Sequence, residues 1–156
     1  IVSIILTIVL LVSVIPLGLF GITASAADKY EDLYYSIENN EVYINNCFSY
    51  NKSEIVIPET IEGCPVTKIK SGAFRNCHGL IKVVIPNTVK FIDLLAFDNC
   101  FRLESVNIPA SVSYIGQTAF NYCNGLKTIT VDEDNQTYSS DENGILFNKV
   151  MELLEK

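Results

Sequence analysis

The feature that most constrains this chain is an internal repeat. When Ile85 to Asn107 is written above Ile108 to Thr130, eight of the 23 columns are identical: Ile85/Ile108, Pro86/Pro109, Val89/Val112, Ile92/Ile115, Ala96/Ala119, Phe97/Phe120, Cys100/Cys123 and Leu103/Leu126. An earlier copy, Ile57 to Val84, supplies the same residue types at Ile57, Pro58, Val66, Ile69, Ala73, Phe74, Cys77 and Leu80. It carries five extra residues between Pro58 and Val66, then returns to the 23-residue spacing. Self-similarity at a fixed period of this length means stacking. One unit cannot bury its apolar face alone, whereas neighbours share one continuous core.

Each column has a physical reading. Leu80-x-x-Val83-x-Ile85, Leu103-x-x-Val106-x-Ile108 and Leu126-x-x-Ile129-x-Val131 alternate at period two near their ends, which predicts half-buried strands. The proline after two of these strands cannot donate to a ladder, so the strand stops and the chain turns. Val89-x-x-Ile92 and its equivalents send a second aliphatic pair inward along the opposite wall. Ala96-Phe97-x-x-Cys100 has the spacing of a short helical turn, its alanine allowing close approach and its phenylalanine filling the core. The expected core ladder is therefore Phe74, Phe97 and Phe120 with Cys77, Cys100, Cys123, Leu80, Leu103 and Leu126.

These residues resemble the BspA-type leucine-rich-repeat family, whose unit reads approximately I-P-x-x-V-x-x-I-x-x-x-A-F-x-x-C-x-x-L-x-x-V. The resemblance runs column by column from Ile55 to Val131 and covers the longer first unit as well. It implies a β-rich leucine-rich-repeat solenoid: a right-handed stack of short parallel strands, with short helical or extended turns on the opposite wall. Residues 27–54, with Tyr34-Tyr35-Ser36-Ile37 and Glu41-Val42-Tyr43-Ile44, look like the family's N-terminal capping strands. Residues 55–131 are the three repeats. Residues 132–156 resemble a hairpin insertion or the start of a further repeat, which stops in mid-module and so leads us to expect truncation.

The first 26 residues are set apart. Ile1 to Ala26 hold none of the chain's 29 charges, and the segment ends in Ala24-Ser25-Ala26, a small-x-small cleavage pattern. It reads as a signal peptide. An apolar run near 20 residues is also long enough to be an uncleaved anchor through residues 1–23, but Pro16, Gly18 and the Ala-x-Ala site favour cleavage. The basic stretch that normally precedes such a segment is missing before Ile1, so truncation is expected here too. The expected location is secreted or cell-surface. The net charge of −7 argues against nucleic acid and anionic lipid, which need a basic face. Contact with a membrane would come only through the N-terminal segment.

No constellation for catalysis stands out, and no cofactor is implied. Cys77 and His78 are adjacent, but neighbouring residues in a tight turn point apart and no third group orients them. No C-x-x-C pair is present, which disfavours zinc. Asp132-Glu133-Asp134-Asn135 fails the calcium-loop pattern, with Thr137 at the glycine position and Asn143 at the terminal glutamate. Asn51-Lys52-Ser53 and Asn135-Gln136-Thr137 are acceptor sequons for N-glycans. Equivalent cysteines in stacked copies cannot all pair, so Cys77, Cys100 and Cys123 read as buried thiols, leaving Cys47 and Cys64 as the candidate disulfide.

What remains is the outside of the strands. Alternation leaves Val56, Lys82, Val84, Ser105, Asn107, Thr128 and Thr130 pointing to solvent. Such a flat, mostly polar face suits a protein or extended peptide better than a small metabolite. The resemblance adds that family members are exported proteins implicated in attachment to host or neighbouring-cell proteins. The expected function is recognition or adhesion without enzymatic activity. The alternative is a passive spacer in a larger surface protein whose activity lies elsewhere.

Overall fold

The computed structural model describes residues 28–47 and 51–149. The export segment expected at Ile1–Ala26 lies outside them. The repeat becomes a stack of about four rungs. The first strands of the rungs are β4 (Glu54–Val56), β7 (Lys82–Val84), β9 (Ser105–Ile108) and β11 (Thr128–Val131), and they form one parallel sheet in the order β11-β9-β7-β4. The second strands are β6 (Cys64–Ile69), β8 (Phe91–Ile92) and β10 (Tyr114–Ile115). They pair in parallel on the opposite wall, β6 to β8 and β8 to β10.

The extended alternative on that wall is the one realised. The Ala-Phe segments of successive rungs are turns, not helices, stacked by backbone bonds. Phe74 N–H donates to Ala96 O at 2.7 Å and Phe97 N–H to Ala119 O at 2.8 Å. Each turn also closes on itself, as where Cys100 N–H donates to Phe97 O at 3.2 Å. A three-residue span of this kind leaves no room for helical propagation. The five extra residues of the first copy make a small hairpin in which β5 (Thr60–Ile61) pairs antiparallel with the start of β6. Glu62 and Gly63 turn it with φ of 52° and 78°, the two positive values that a type I′ turn requires.

Three strands precede the rungs: β1 (Asp28–Tyr30), β2 (Leu33–Glu38) and β3 (Glu41–Cys47). β2 and β3 form an antiparallel hairpin, and β3 joins β6 in parallel with Val42 opposite Val66 and Ile44 opposite Ile69. Val42, Ile44 and Cys47 are buried, so β3 supplies one layer of side chains that closes the apolar end of the stack. Glu54 belongs to β4 of the first rung rather than to these capping strands.

At the other end the repeat columns continue past Val131 in altered form. Asn135 stands 23 residues after Val112, and Tyr138 stands 23 after Ile115. Both are buried like the aliphatics they replace. A polar residue in a buried column needs all its partners, and Asn135 has them. Its side-chain amide donates to Pro109 O and Val112 O at 2.7 and 3.0 Å, and its carbonyl accepts from the backbone of Thr137 and Tyr138, both at 2.8 Å. The Tyr138 hydroxyl accepts Ile115 N–H at 2.8 Å. From Tyr138 the chain departs into an antiparallel hairpin of β12 (Tyr138–Ser140) and β13 (Leu146–Asn148). Gly144 lets that hairpin touch the last rung: its φ is +74°, and a Cβ there would lie 2.7 Å from Thr128 Cα. Gly144 O accepts Ile129 N–H at 3.1 Å.

Candidate functional site

The parallel sheet β11-β9-β7-β4 turns one set of side chains inward and one outward. Lys82 stands opposite Glu54 and Ser105, and Ser105 opposite Thr128. In the neighbouring column Val56 stands opposite Val84 and Asn107 opposite Thr130. All seven residues expected on the face are exposed, Val56 by 60%. Glu54, which the alternation argument passed over, completes the first column and pairs with Lys82 at 2.8 Å. Thr130 donates to Asn107 Oδ1 at 2.9 Å. Lys82, Val84, Ser105, Asn107, Thr128 and Thr130 line one shallow groove of about 280 Å³. That lies below the ~300–1,000 Å³ of ordinary small-molecule pockets.

The inward columns hold the stack. Phe74 and Phe97 are fully buried, as are Cys77, Cys100, Leu80 and Leu103. Cys123 is buried too, but Phe120 and Leu126 are only half-buried. The gradient follows position: the third copy is followed by the altered rung, which brings Asn135 and Tyr138 but no fourth phenylalanine. The cysteine column has four members. Cys47, at the end of β3, sits beyond Cys77, whose thiol donates to Cys47 O at 3.7 Å. Cys100 and Cys123 donate to Phe74 O and Phe97 O at 3.0 and 3.1 Å.

All five cysteines are thiols. The expected Cys47–Cys64 disulfide is therefore absent, because Cys47 is committed to the buried column. Cys64 instead faces Asn40 Oδ1 at 3.5 Å from the small hairpin. Hydrogen bonding to Cys47, then burial, push the Cys77 thiol above its ordinary range, and hydrogen bonding to Cys123, then burial, do the same for Cys100. Cys123 is lowered by its bond from Cys100.

The remaining sequence signals resolve locally. Cys77 is buried while His78 is exposed, with its Nε2 3.2 Å from Asn99 Nδ2 and its ring against Phe101 at 4.9 Å. Within Asp132-Glu133-Asp134, the Asp132 carboxylate accepts Asp134 N–H at 3.0 Å and so closes its own turn. Among the described residues no three His, Cys, Asp or Glu side chains converge as metal ligands would. The sequon at Asn135 is corrected. Its amide nitrogen is buried with both hydrogens donated, so the folded chain does not offer it as a glycan acceptor. Asn51 is exposed.

The opposite wall carries a surface that sequence reasoning missed. Tyr43 stands opposite Lys68, Lys68 opposite Phe91, and Phe91 opposite Tyr114. Phe91 and Tyr114 are 37% and 45% exposed. Lys68, Phe91 and Tyr114 sit at one repeat position, directly before Ile69, Ile92 and Ile115. The signal was present in the repeat, but a column that varies in residue type does not show in a search for identity.

The BspA type Leucine rich repeat region matches residues 36–143 of this chain in six copies. No curated protein matches the sequence. Among solved structures, a leucine-rich repeat protein from Bacteroides capillosus is 21% identical, with 69% of this chain and 99% of that chain covered and a TM-score of 0.51. One from Bacteroides ovatus is 29% identical over 65% of this chain, with a TM-score of 0.53. The match takes in only 28% of that second chain.

Proposed function

The chain belongs to the BspA-type leucine-rich-repeat family, and from that premise we propose that it is a protein-recognition module acting at the cell surface or outside the cell. Leucine-rich-repeat stacks serve as binding scaffolds rather than enzymes, and this reading assigns no catalytic residue and no cofactor. The observation that carries it is the shallow groove across three parallel strands, lined by Lys82, Val84, Ser105, Asn107, Thr128 and Thr130. Its partner is an extended peptide or a protein surface crossing the strands. The two exposed valines give apolar contact, and the polar column gives hydrogen bonds at modest desolvation cost. Export through the N-terminal segment is part of the same proposal, carried by its uncharged run and its Ala-x-Ala end.

The test is selection of a phage-displayed peptide library on the full chain, in parallel with a Val84→Arg/Ser105→Arg variant. Both positions are exposed, so the variant keeps its core. Recognition through this face predicts peptides enriched on the parent that bind the variant at least about tenfold more weakly, a loss of roughly 1.4 kcal/mol. Equal enrichment on both would remove the face from consideration. No enrichment on the parent would favour the spacer role.

A further inference from the structure

We propose that the stripe Tyr43–Lys68–Phe91–Tyr114 on the second wall is a separate docking surface, and that it takes a proline-rich extended peptide carrying an acidic residue. Three observations lead there. The four residues stand in register on consecutive strands β3, β6, β8 and β10. Two of their rings are exposed, and Leu94, 47% exposed, follows β8 on the same rung. The ammonium of Lys68 lies over both flanking rings, 5.3 Å from the Tyr43 centroid and 5.1 Å from the Phe91 centroid.

Charge selects the partner. The neighbouring lysines are already engaged: Lys70 with Glu38 at 2.9 Å and Lys90 with Glu41 at 3.2 Å. Lys68 is in no ion pair among the described residues. Held between two aromatic rings, it presents a cation whose carboxylate must come from outside. Spacing selects the conformation. Adjacent strands lie ~4.7–4.9 Å apart, so Tyr43 and Phe91, two strands apart, are separated by roughly 9.5 Å. A polyproline II helix repeats every three residues, or about 9.3 Å. Successive prolines of one face therefore meet Tyr43 and Phe91 in step, with an acidic side chain between them at Lys68. Aromatic-lined surfaces are the usual seat for this conformation, because its order is already present in the free peptide.

The experiment is fluorescence anisotropy of labelled (Pro-Pro-Glu)4 with the full chain, with (Pro-Pro-Lys)4 and (Gly-Gly-Glu)4 as controls. We expect binding of the first peptide only. Phe91→Ala or Tyr114→Ala should weaken it about fivefold or more, as loss of one aromatic contact does. Lys68→Glu should abolish it and confer binding of (Pro-Pro-Lys)4, and Lys68→Gln should weaken it without that reversal. The Val84→Arg/Ser105→Arg variant should bind as the parent does, which separates this surface from the strand face. Thermal melts confirm that each variant is folded. No binding of (Pro-Pro-Glu)4 by the parent, equal binding of (Gly-Gly-Glu)4, or indifference to Phe91→Ala would overturn the proposal. So would capture of an acidic oligosaccharide in place of the peptide.

Discussion

Phe97 lies face to face with Phe74, their ring centroids 4.9 Å apart and their planes within 9° of parallel. Phe120 continues the column at 5.3 Å and 7°. Only Phe97 has a ring on both sides, and it is fully buried while Phe120 is half-buried. Phe97→Ala should therefore destabilise by roughly 3–5 kcal/mol, the cost of a large core truncation. Phe120→Ala should cost about half as much or less, since its cavity opens to solvent. Urea denaturation of both variants checks the order. Equal losses, or no loss for Phe97→Ala, would mean the column does not hold the stack.

Asn76, Asn99 and Tyr122 occupy one repeat position, and all are left-handed, with φ of 62°, 60° and 54°. Asparagine tolerates this conformation far better than tyrosine. Tyr122 is 66% exposed, so little burial is lost on replacing it. Tyr122→Asn should raise stability by up to about 1 kcal/mol, read as a higher denaturation midpoint with an unchanged slope.

The thiols should label in a definite order. Cys64, half-buried at the small hairpin, should react first in the native chain. Cys77 and Cys100 should react last, because hydrogen bonding and burial keep them protonated. All five should titrate in denaturant without reductant. Fewer than five free thiols there would contradict the unbridged column.

Two exposed carboxylates set the acid limb of the stability profile. The bond from Lys70 lowers Glu38, and the bond from Lys90 lowers Glu41, each below the ordinary 4.5. A carboxylate with a depressed folded value binds its proton more weakly folded than unfolded. Its contribution is therefore complete above pH 4.5 and disappears as the pH falls through the folded value. Melting temperature should be level from about pH 5.5 to 7.5 and fall below about pH 4.5. Lys90→Gln should flatten part of that fall, and an unchanged acid limb would deny Glu41 its role.

Much of the architecture was legible because a 23-residue period exposes its inward columns by identity. Ile, Val, Phe and Cys recur where each rung must meet the next in the same way. Outward positions are free to vary, so Lys68, Phe91 and Tyr114 shared a column without announcing it. Cys47 was misassigned for a related reason. It joins the cysteine column from a capping strand that lies outside the 23-residue spacing. Asn135 hid in plain view as a sequon, since only a folded chain shows that its amide fills the place of a valine. The strand face was read correctly as exposed, because period-two alternation alone decides which side of a half-buried strand meets water.

The central claim, that partners are read on the outside of β7, β9 and β11, is tested most directly by amide chemical-shift mapping. The isotope-labelled full chain is titrated with a peptide enriched on the parent but not on the Val84→Arg/Ser105→Arg variant. The account predicts shifts concentrated at Lys82–Val84, Ser105–Asn107 and Thr128–Thr130. Little change should occur at Lys68, Phe91 or Tyr114. Shifts centred on the second wall or on the acidic turn from Asp132, with the three strands unmoved, would contradict it.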